Sequence, residues 1–218
     1  RLLACMAGDQ AMIDGFNSGE DIHRITASQV FGVPQEEVTP QMRRSAKAVN
    51  FGIVYGQQAF GLSQSLGVPF GEAKDMIDRY FEAYPGVRAY LDATVEQARE
   101  RGYAETMFGR KRHIPELKAS NKMQRSFGER TAMNHPMQGS AADIIKLAML
   151  RVDAALKKQK LKARLVLQVH DELIVECPEE ETPRVEALLQ QEMQGVAELS
   201  VPLLAEAHTG RNWLAAKG

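Results

Sequence analysis

Two cationic and two aromatic residues stand at every fourth position of one segment: Arg43, Lys47, Phe51 and Tyr55. On an α-helix, residues four apart lie above one another on the same face. The two cations would therefore lie in line with the two rings. Such a row suits a nucleoside triphosphate, because cations bind phosphate groups and flat rings stack on bases.

The opposite face of the same predicted helix carries Ala46, Val49 and Ile53, at the spacing of a packed face. Cations at helical spacing most often form a solvated face, and aromatic residues at that spacing most often belong to a core. Here the aromatic residues continue the cationic row instead of the apolar one. The segment between Glu37 and Glu72 has no acid, so its three cations should attract an external anion.

Charge is unevenly distributed along a chain of 218 residues whose formal net charge is −1. Residues 99–130 contain nine Lys or Arg against four Glu, a net charge of +5. Residues 176–198 contain seven Glu against one Arg, a net charge of −6. This asymmetry allows one surface to face phosphates while another remains in solvent.

Composition limits the class of protein. With 44% hydrophobic residues, the chain can bury one good core or two smaller ones. Its two cysteines form no disulfide framework or CxxC metal site, which favours a reduced, cytoplasmic setting. No apolar stretch approaches the roughly 18 residues of a membrane span. The first residues, 1–7, are no signal peptide and lack an initiator Met, which suggests an excised fragment.

The first 125 residues are predicted to be mostly helical. Asp21 should cap one helix, and Thr39-Pro40 should open the helix that carries the row. Pro85-Gly86 and Gly102 should each end a helix, and a loop-rich basic segment should follow. The predicted ranges are 22–31, a helix from Pro40, 71–84 and 87–101, then the loop over 106–122.

Beyond about Ser126 the pattern changes. His135-Pro136 should interrupt the next helix, and Ser140 with Asp143 should cap a new one. A single β-hairpin, with β-branched strands, should follow and then a last helix. The predicted ranges are helix 128–134, helix 139–159, strands 163–169 and 173–177, helix 182–198 and an extended segment over 201–204.

The turn of this hairpin, His170-Asp171-Glu172, carries two adjacent carboxylates. Carboxylates at a strand end are also ordinary turn residues. We expect the flanking strands to be largely buried and to hold the turn rigidly. Mg²⁺ takes few carboxylates and keeps waters or substrate phosphates, so Asp171 and Glu172 suit it. The imidazole of His170 does not, and zinc is a weaker interpretation.

Three segments, taken together, resemble the polymerase region of family A DNA polymerases, the bacterial DNA polymerase I type. Their order and spacing fit, and the resemblance covers essentially the whole chain. It implies an α+β fold: a mostly helical fingers subdomain over 1–125, and the C-terminal part of the palm, with its antiparallel hairpin packed on helices, over 126–218. The segments are Arg43-x3-Lys47-x3-Phe51-Gly52-x2-Tyr55-Gly56, Arg130-x3-Asn134-x3-Gln138-Gly139-Ser140-Ala141-Ala142-Asp143 and Gln168-Val169-His170-Asp171-Glu172.

The resemblance also implies substrates and roles. The substrates would be dNTPs and primer-template DNA. Arg43 and Lys47, helped by His23, would bind the dNTP phosphates, Phe51 would pack against the incoming base or sugar, and Tyr55 would stack beside the templating base. The DNA contacts would be Arg130, Asn134, Gln138 and His170. Minor-groove acceptors recur at every correct base pair, so such donors can test pair shape without reading sequence.

Two Mg²⁺ ions would be held by Asp171, with Glu172 in a lesser role. Two-metal phosphoryl transfer needs more than one anchored carboxylate. In the family a second catalytic Asp lies just before a Leu-Arg pair, and this chain opens at Arg1-Leu2-Leu3. The chain alone is therefore predicted to be inactive. A palm sheet without its other strands should leave an open edge and allow self-association.

Three alternatives remain open at this stage. The chain could be a nucleotide- or DNA-binding module without chemistry. A metal-dependent nuclease built on residues 170–172 would need further ligands, but His113, His135 and His208 have no ligand spacing. A purely structural helical protein does not explain why cations and aromatic residues share one helix face.

Overall fold

The computed structural model describes residues 1–217, which fall into two compact units. The first comprises Arg1–Ser140 and the second begins at Ala141. Most residues lie in helices, and the strands form two separate antiparallel pairs. The predicted α+β class is confirmed.

The first unit is a set of helices with one small hairpin. Strands β1 and β2 pair with Tyr103 opposite His113 and Glu105 opposite Lys111. Its elements are α1 (Leu2–Ala7), α2 (Gln10–Asn17), α3 (Ile22–Phe31), α4 (Pro40–Val54), α5 (Ala59–Leu66), α6 (Phe70–Ala83), α7 (Pro85–Arg101), β1 (Tyr103–Glu105), β2 (Lys111–His113) and the first part of α8 (Lys122–Lys158).

Helix boundaries follow the local signals that the sequence carries. The Asp21 carboxylate accepts a hydrogen bond from the His23 N–H at 3.0 Å and caps α3. The Thr39 hydroxyl accepts from the Met42 N–H at 3.2 Å, with Pro40 at the first position of α4. Gly102, with φ of 79°, ends α7. These predicted caps are confirmed.

The hairpin of β1 and β2 lies where a loop was predicted. Each strand has only three residues, and the inward-facing one on β1 is Ala104. Alternation over three residues is too short to distinguish from irregular chain. The hairpin is stabilised instead by its turn, where the Thr106 hydroxyl accepts from the N–H groups of Phe108 and Arg110.

Helix α8 runs without a break through Pro136, so the predicted interruption is wrong. Ser140, predicted as a cap, is fully buried inside the helix, where its hydroxyl donates to the Pro136 carbonyl at 2.5 Å. The same hydroxyl accepts from the Met107 N–H at 2.9 Å. A proline in a helix interior costs about 3 kcal/mol. Ala132, one turn before Pro136, is fully buried in the core of the first unit.

Each unit has its own core. In the first, side chains of α7, β1 and α8 pack together, and a second cluster joins α3 to α4 through Ala27 and Ala46. In the second, α8 packs on the last long helix through Val152 and Val185. The elements of the second unit are the remainder of α8, β3 (Arg164–Val169), β4 (Glu172–Glu176), α9 (Thr182–Gln194) and α10 (Trp213–Ala216).

The second unit departs from the predictions in two respects. Helix α9 ends at Gln194 instead of continuing to 198. The pairing of β3 with β4 is irregular between Leu165 and Leu167. Val166 is 51% exposed and Leu167 47% exposed, so the expectation of largely buried strands is wrong. Their apolar side chains indicated a core that these residues do not reach.

Candidate functional site

The predicted row lies on the outward face of α4. Ala46, Val49 and Ile53 on the other face are at most 4% exposed, whereas Phe51 is 49% exposed and Tyr55 is 51% exposed. The helix is therefore amphipathic, with its aromatic residues outside the core. The predicted separation of the row from the packed face is confirmed. Tyr55 itself follows the last helical residue and forms the C-cap of α4.

Lys47, Phe51 and His23 lie side by side on this face. The Lys47 Nζ atom lies 5.8 Å from the centroid of the Phe51 ring, within the range of a cation–π contact. The His23 ring lies 6.1 Å from the Phe51 ring. No carboxylate among residues 1–217 forms an ion pair with Lys47. An ammonium group and two rings thus share one exposed surface.

Arg43 has an acidic partner after all, supplied by another helix. Its Nε atom donates to Oδ2 of Asp21 at the start of α3. Burial would raise the pKa of Asp21, but the hydrogen bond from Arg43 and that from the His23 backbone outweigh it and hold the pKa below its ordinary value. The segment between Glu37 and Glu72 contains no acid, as its sequence shows. In the folded chain, however, Asp21 of α3 supplies an anion to Arg43.

His23 is held by a network that sequence reasoning missed. Nδ2 of Asn50 on α4 lies 3.1 Å from Nδ1 of His23 and 3.2 Å from Oγ1 of Thr26. Thr26 uses its own proton on the Ile22 carbonyl at 2.8 Å, so it accepts from Asn50. The Asn50 amide nitrogen is then the donor to His23, whose proton must lie on Nε2.

The pKa of His23 lies below its ordinary value. Burial lowers it most, the Asp21 carboxylate opposes this, and the cations Arg43 and Lys47 lower it further. His23 is therefore a neutral imidazole beside two cations. Asn50 could have been suspected from its place on α4, one turn beyond Lys47, but its partners are 24 and 27 positions away.

The turn after α4 lies against α8. Gly56 has φ of 66°, and a Cβ atom there would stand 3.1 Å from Cγ of Arg130 and 3.2 Å from Sδ of Met133. Nδ2 of Asn134 lies 3.5 Å from the Val54 carbonyl. The predicted DNA contacts Arg130 and Asn134 are thus brought next to the end of the row.

Gln138 and the hairpin turn complete the predicted set. Gln138 is exposed on α8. In the second unit, Val169 pairs with Glu172, so the turn is His170-Asp171 and Glu172 belongs to β4. His170 has φ of 53°, and its carbonyl accepts from the Gln168 side chain.

Asp171 and Glu172 differ in their surroundings. The Oε1 atom of Glu172 lies 3.4 Å from Nζ of Lys217. Asp171 is exposed, and no side chain in the described part of the chain bonds to its carboxylate. Among residues 1–217, no group of three or more His, Cys, Asp or Glu could hold a metal ion. A single exposed carboxylate fits an ion such as Mg²⁺ that takes its other ligands from water or substrate.

The described helices include none that is long and apolar enough to cross a membrane.

Comparison of the whole sequence with models of protein families identifies the family of this chain. A model of the family described as "DNA polymerase family A" matches residues 1–215. The chain therefore belongs to DNA polymerase family A. This match takes in the row on α4, the α8 residues and the hairpin turn.

Similar proteins include several bacterial DNA polymerases I. The chain is 49% identical over its full length to DNA polymerase I of Lactococcus lactis subsp. lactis, and covers 25% of that protein. It is 49% identical to the thermostable DNA polymerase I of Thermus aquaticus, covering 26% of it. The match to DNA polymerase I of Mycobacterium bovis is 50% identical over 99% of the chain and 24% of the relative. The chain thus spans about a quarter of these relatives.

A solved structure has the same fold. The polymerase domain of Pol1 from Mycobacterium smegmatis, in complex with DNA primer-template and dNTP, matches with a TM-score of 0.93 and 46% identity. The match covers 99% of this chain and 38% of that chain.

Proposed function

We propose that this chain forms part of a DNA-directed DNA polymerase that adds dNTPs to a primer 3′-hydroxyl in DNA replication and repair. The observation that carries the proposal is the row of Arg43, Lys47, Phe51 and Tyr55, exposed on one helix of a family A chain. The similar domain from M. smegmatis binds DNA primer-template and dNTP.

The row supports a specific role for each residue. Lys47 and Arg43 bind the phosphates of the dNTP, because both present cations on the exposed face of α4. Phe51, next to the Lys47 ammonium, packs against the base or sugar, and Tyr55 at the helix end stacks beside the templating base. Neutral His23 donates from Nε2 to a phosphate oxygen without adding charge.

The α8 residues fit contact with primer-template. Arg130 and Gln138 are exposed, and Asn134 lies near the end of α4. Their amide and guanidinium groups can donate to the acceptors that every correct pair presents in the minor groove. His170, at the hairpin turn, is proposed as a further DNA contact.

The domain assignment, fingers over 1–125 and palm over 126–218, is part of the same proposal.

Asp171 would be the principal magnesium ligand and Glu172 the lesser one, since Lys217 already engages Glu172. When bound, Mg²⁺ supplies activation of the primer hydroxyl and neutralisation of the leaving pyrophosphate. The cations of the row would hold the triphosphate, and Phe51 would hold the base.

We also propose that these 218 residues alone do not catalyse the reaction and act as a nucleotide- and DNA-binding module. Two metal ions about 4 Å apart need several carboxylates, and the described residues contain no cluster of three potential ligands. Primer extension with dNTPs and Mg²⁺ tests this proposal. Robust extension by the isolated chain would overturn it.

Self-association through the hairpin is a further part of the proposal. β3 and β4 form a two-stranded sheet, and Val166 and Leu167 expose apolar side chains. An open strand edge of this kind can pair with a second copy. Light scattering over a concentration series tests it: a monomer at every concentration would contradict it, as would an unchanged dimer in Val166→Lys.

A cytoplasmic location is proposed because Cys5 and Cys177 are free thiols, which a reducing compartment preserves.

Substitution of Lys47 tests the assignment of the row. Lys47→Ala should weaken dNTP binding by about 1.5–3 kcal/mol, the value of a charge-assisted hydrogen bond. Lys158→Ala is the matched control, because it removes an exposed lysine near the end of α8. Equal dNTP affinity of wild type and Lys47→Ala, measured by calorimetry, would contradict the phosphate-binding role.

A further inference from the structure

Asp21 makes two separate contacts with its two carboxylate oxygens. Oδ1 accepts from the His23 N–H at 3.0 Å and caps α3. Oδ2 accepts from Nε of Arg43, 22 positions further along the chain. The cap needs only one neutral acceptor, which Asn or Ser supplies as well. The cap therefore does not require the negative charge of Asp21, and this charge acts on Arg43.

The ion pair divides the cations of the row into two kinds. Arg43 is neutralised by Asp21, whereas the Lys47 ammonium lies over the Phe51 ring and forms no ion pair with a carboxylate of residues 1–217. Both side chains of the pair are partly exposed, 42% for Arg43 and 36% for Asp21, so an anion from solution can reach them. Exposed ion pairs are weak and exchange readily.

We infer that Asp21 competes with substrate: its carboxylate occupies Arg43 in the place of a phosphate until a triphosphate displaces it. This inference rests on the proposed phosphate-binding role of Arg43. An incoming triphosphate meets the uncompensated Lys47 first. It gains Arg43 only by exchange with Asp21, so the carboxylate makes full binding depend on a ligand with enough negative charge to compete.

Whether loss of the Asp21 carboxylate strengthens or weakens triphosphate binding distinguishes a competing role of Asp21 from an orienting role. A carboxylate that merely oriented Arg43 for substrate would strengthen binding, and its loss would weaken it. A carboxylate that competes with substrate would weaken binding, and its loss would strengthen it. The two roles therefore predict opposite changes in affinity for the same substitution.

The test uses Asp21→Asn, which keeps the N-cap acceptor and removes the charge, with Asp21→Ser as a second capping variant. The charge-matched control is Asp92→Asn, because Asp92 pairs with Nε of Arg88 at 2.9 Å on α7. Calorimetric titration with dATP and with inorganic tripolyphosphate, without divalent ions, measures the affinities. Thermal unfolding checks that each variant is folded.

Both Asp21 variants should bind tripolyphosphate and dATP about two- to five-fold more tightly, the range set by the strength of an exposed ion pair. Asp92→Asn should bind as wild type does. Arg43→Ala should weaken binding, and should do so by a larger factor in the Asp21→Asn background, where no carboxylate competes for the guanidinium.

The outcomes distinguish a failure of this inference from a failure of the proposed function. If Arg43→Ala weakens binding but the folded Asp21 variants bind equally or more weakly, the inference is overturned and the phosphate role of Arg43 stands. If Arg43→Ala has no effect in either background, or if wild type binds neither ligand, the proposed function of the row fails and the inference fails with it.

Discussion

The hydroxyl of Tyr84 donates a hydrogen bond to Oγ1 of Thr26 across 3.2 Å, because Thr26 has already used its proton on the Ile22 carbonyl. Four positions earlier, the equally buried Tyr80 hydroxyl has no hydrogen-bond partner among the described residues. The two rings are in contact, with centroids 5.0 Å apart. The two buried tyrosines therefore differ in one respect: the Tyr84 hydroxyl is hydrogen-bonded and the Tyr80 hydroxyl is not.

This contrast predicts opposite effects of the same substitution. Tyr80→Phe should raise the free energy of unfolding by about 1 kcal/mol, because a buried hydroxyl without a partner carries only its desolvation penalty. Tyr84→Phe should lower it by about 1 kcal/mol through the lost bond to Thr26. Urea unfolding of both variants checks the prediction. A loss of stability in Tyr80→Phe equal to that in Tyr84→Phe would refute it.

Alanine at Gly56 should be far more costly than alanine at Gly8. Both glycines have positive φ, 66° and 58°, which costs a residue with Cβ about 1–2 kcal/mol. A Cβ atom at Gly8 meets nothing within 4 Å, whereas at Gly56 it meets Arg130 and Met133. Gly8→Ala therefore measures the backbone cost alone. The extra loss in Gly56→Ala, in urea unfolding, measures the packing of the turn on α8, and equal losses would deny that contact.

His23 should make stability depend on pH. Its pKa is lowered in the folded chain, so the unfolded chain binds more protons around its ordinary pKa of 6.5. Its stabilisation is complete above pH 6.5 and is lost as the pH falls through the lowered value, when protonated Nδ1 would face the Asn50 amide donor.

The change in unfolding free energy between pH 7.5 and 5.5 measures this dependence. It should be smaller in His23→Gln than in wild type, while His113→Gln, which replaces an exposed histidine, should match wild type. An identical pH dependence in His23→Gln and wild type would show that the depressed pKa is absent.

Ser140 should be critical to the part of α8 that follows Pro136. Ser140→Ala removes the bond to the Pro136 carbonyl and leaves the Met107 N–H without its acceptor. We expect a loss of about 2 kcal/mol in unfolding free energy, since two hydrogen bonds of a fully buried hydroxyl are lost and each contributes about 1 kcal/mol. Ser126→Ala, at a half-buried position earlier in α8, is the control. Equal stability of the two variants would contradict this role.

Local signals explain which parts of the fold were predictable. Asp21 and Thr39 lie directly before the helices they cap, so a few consecutive residues are enough to predict each helix start. At Pro136, by contrast, α8 continues, and the Ser140 hydroxyl there bonds both to the Pro136 carbonyl and to the N–H of Met107, which lies 33 positions before Ser140. No local pattern contains that information, and the proline rule gave the wrong answer.

The candidate site likewise combines features that local sequence predicts with contacts that only the folded structure reveals. The outward row on α4 follows from helical spacing alone, so Lys47 and Phe51 were placed correctly relative to each other. The bonds of Arg43 to Asp21 and of Asn50 to His23 join α4 to α3 through tertiary packing. Chemical type identified the cations, but only the fold shows which of them is already paired.

Gln57 occupies the space that two glycines leave beside it. A Cβ atom on Gly52 would stand 2.6 Å from Oε1 of Gln57, and one on Gly61 would stand 2.9 Å from its Cγ. The three positions therefore share one volume, although Gly52 lies in the last turn of α4 and Gly61 belongs to α5. Alanine at 61 should therefore be accepted in a mutational library chiefly when position 57 becomes smaller, whereas at 52 a shift of the Gln57 amide oxygen makes room for the added Cβ atom.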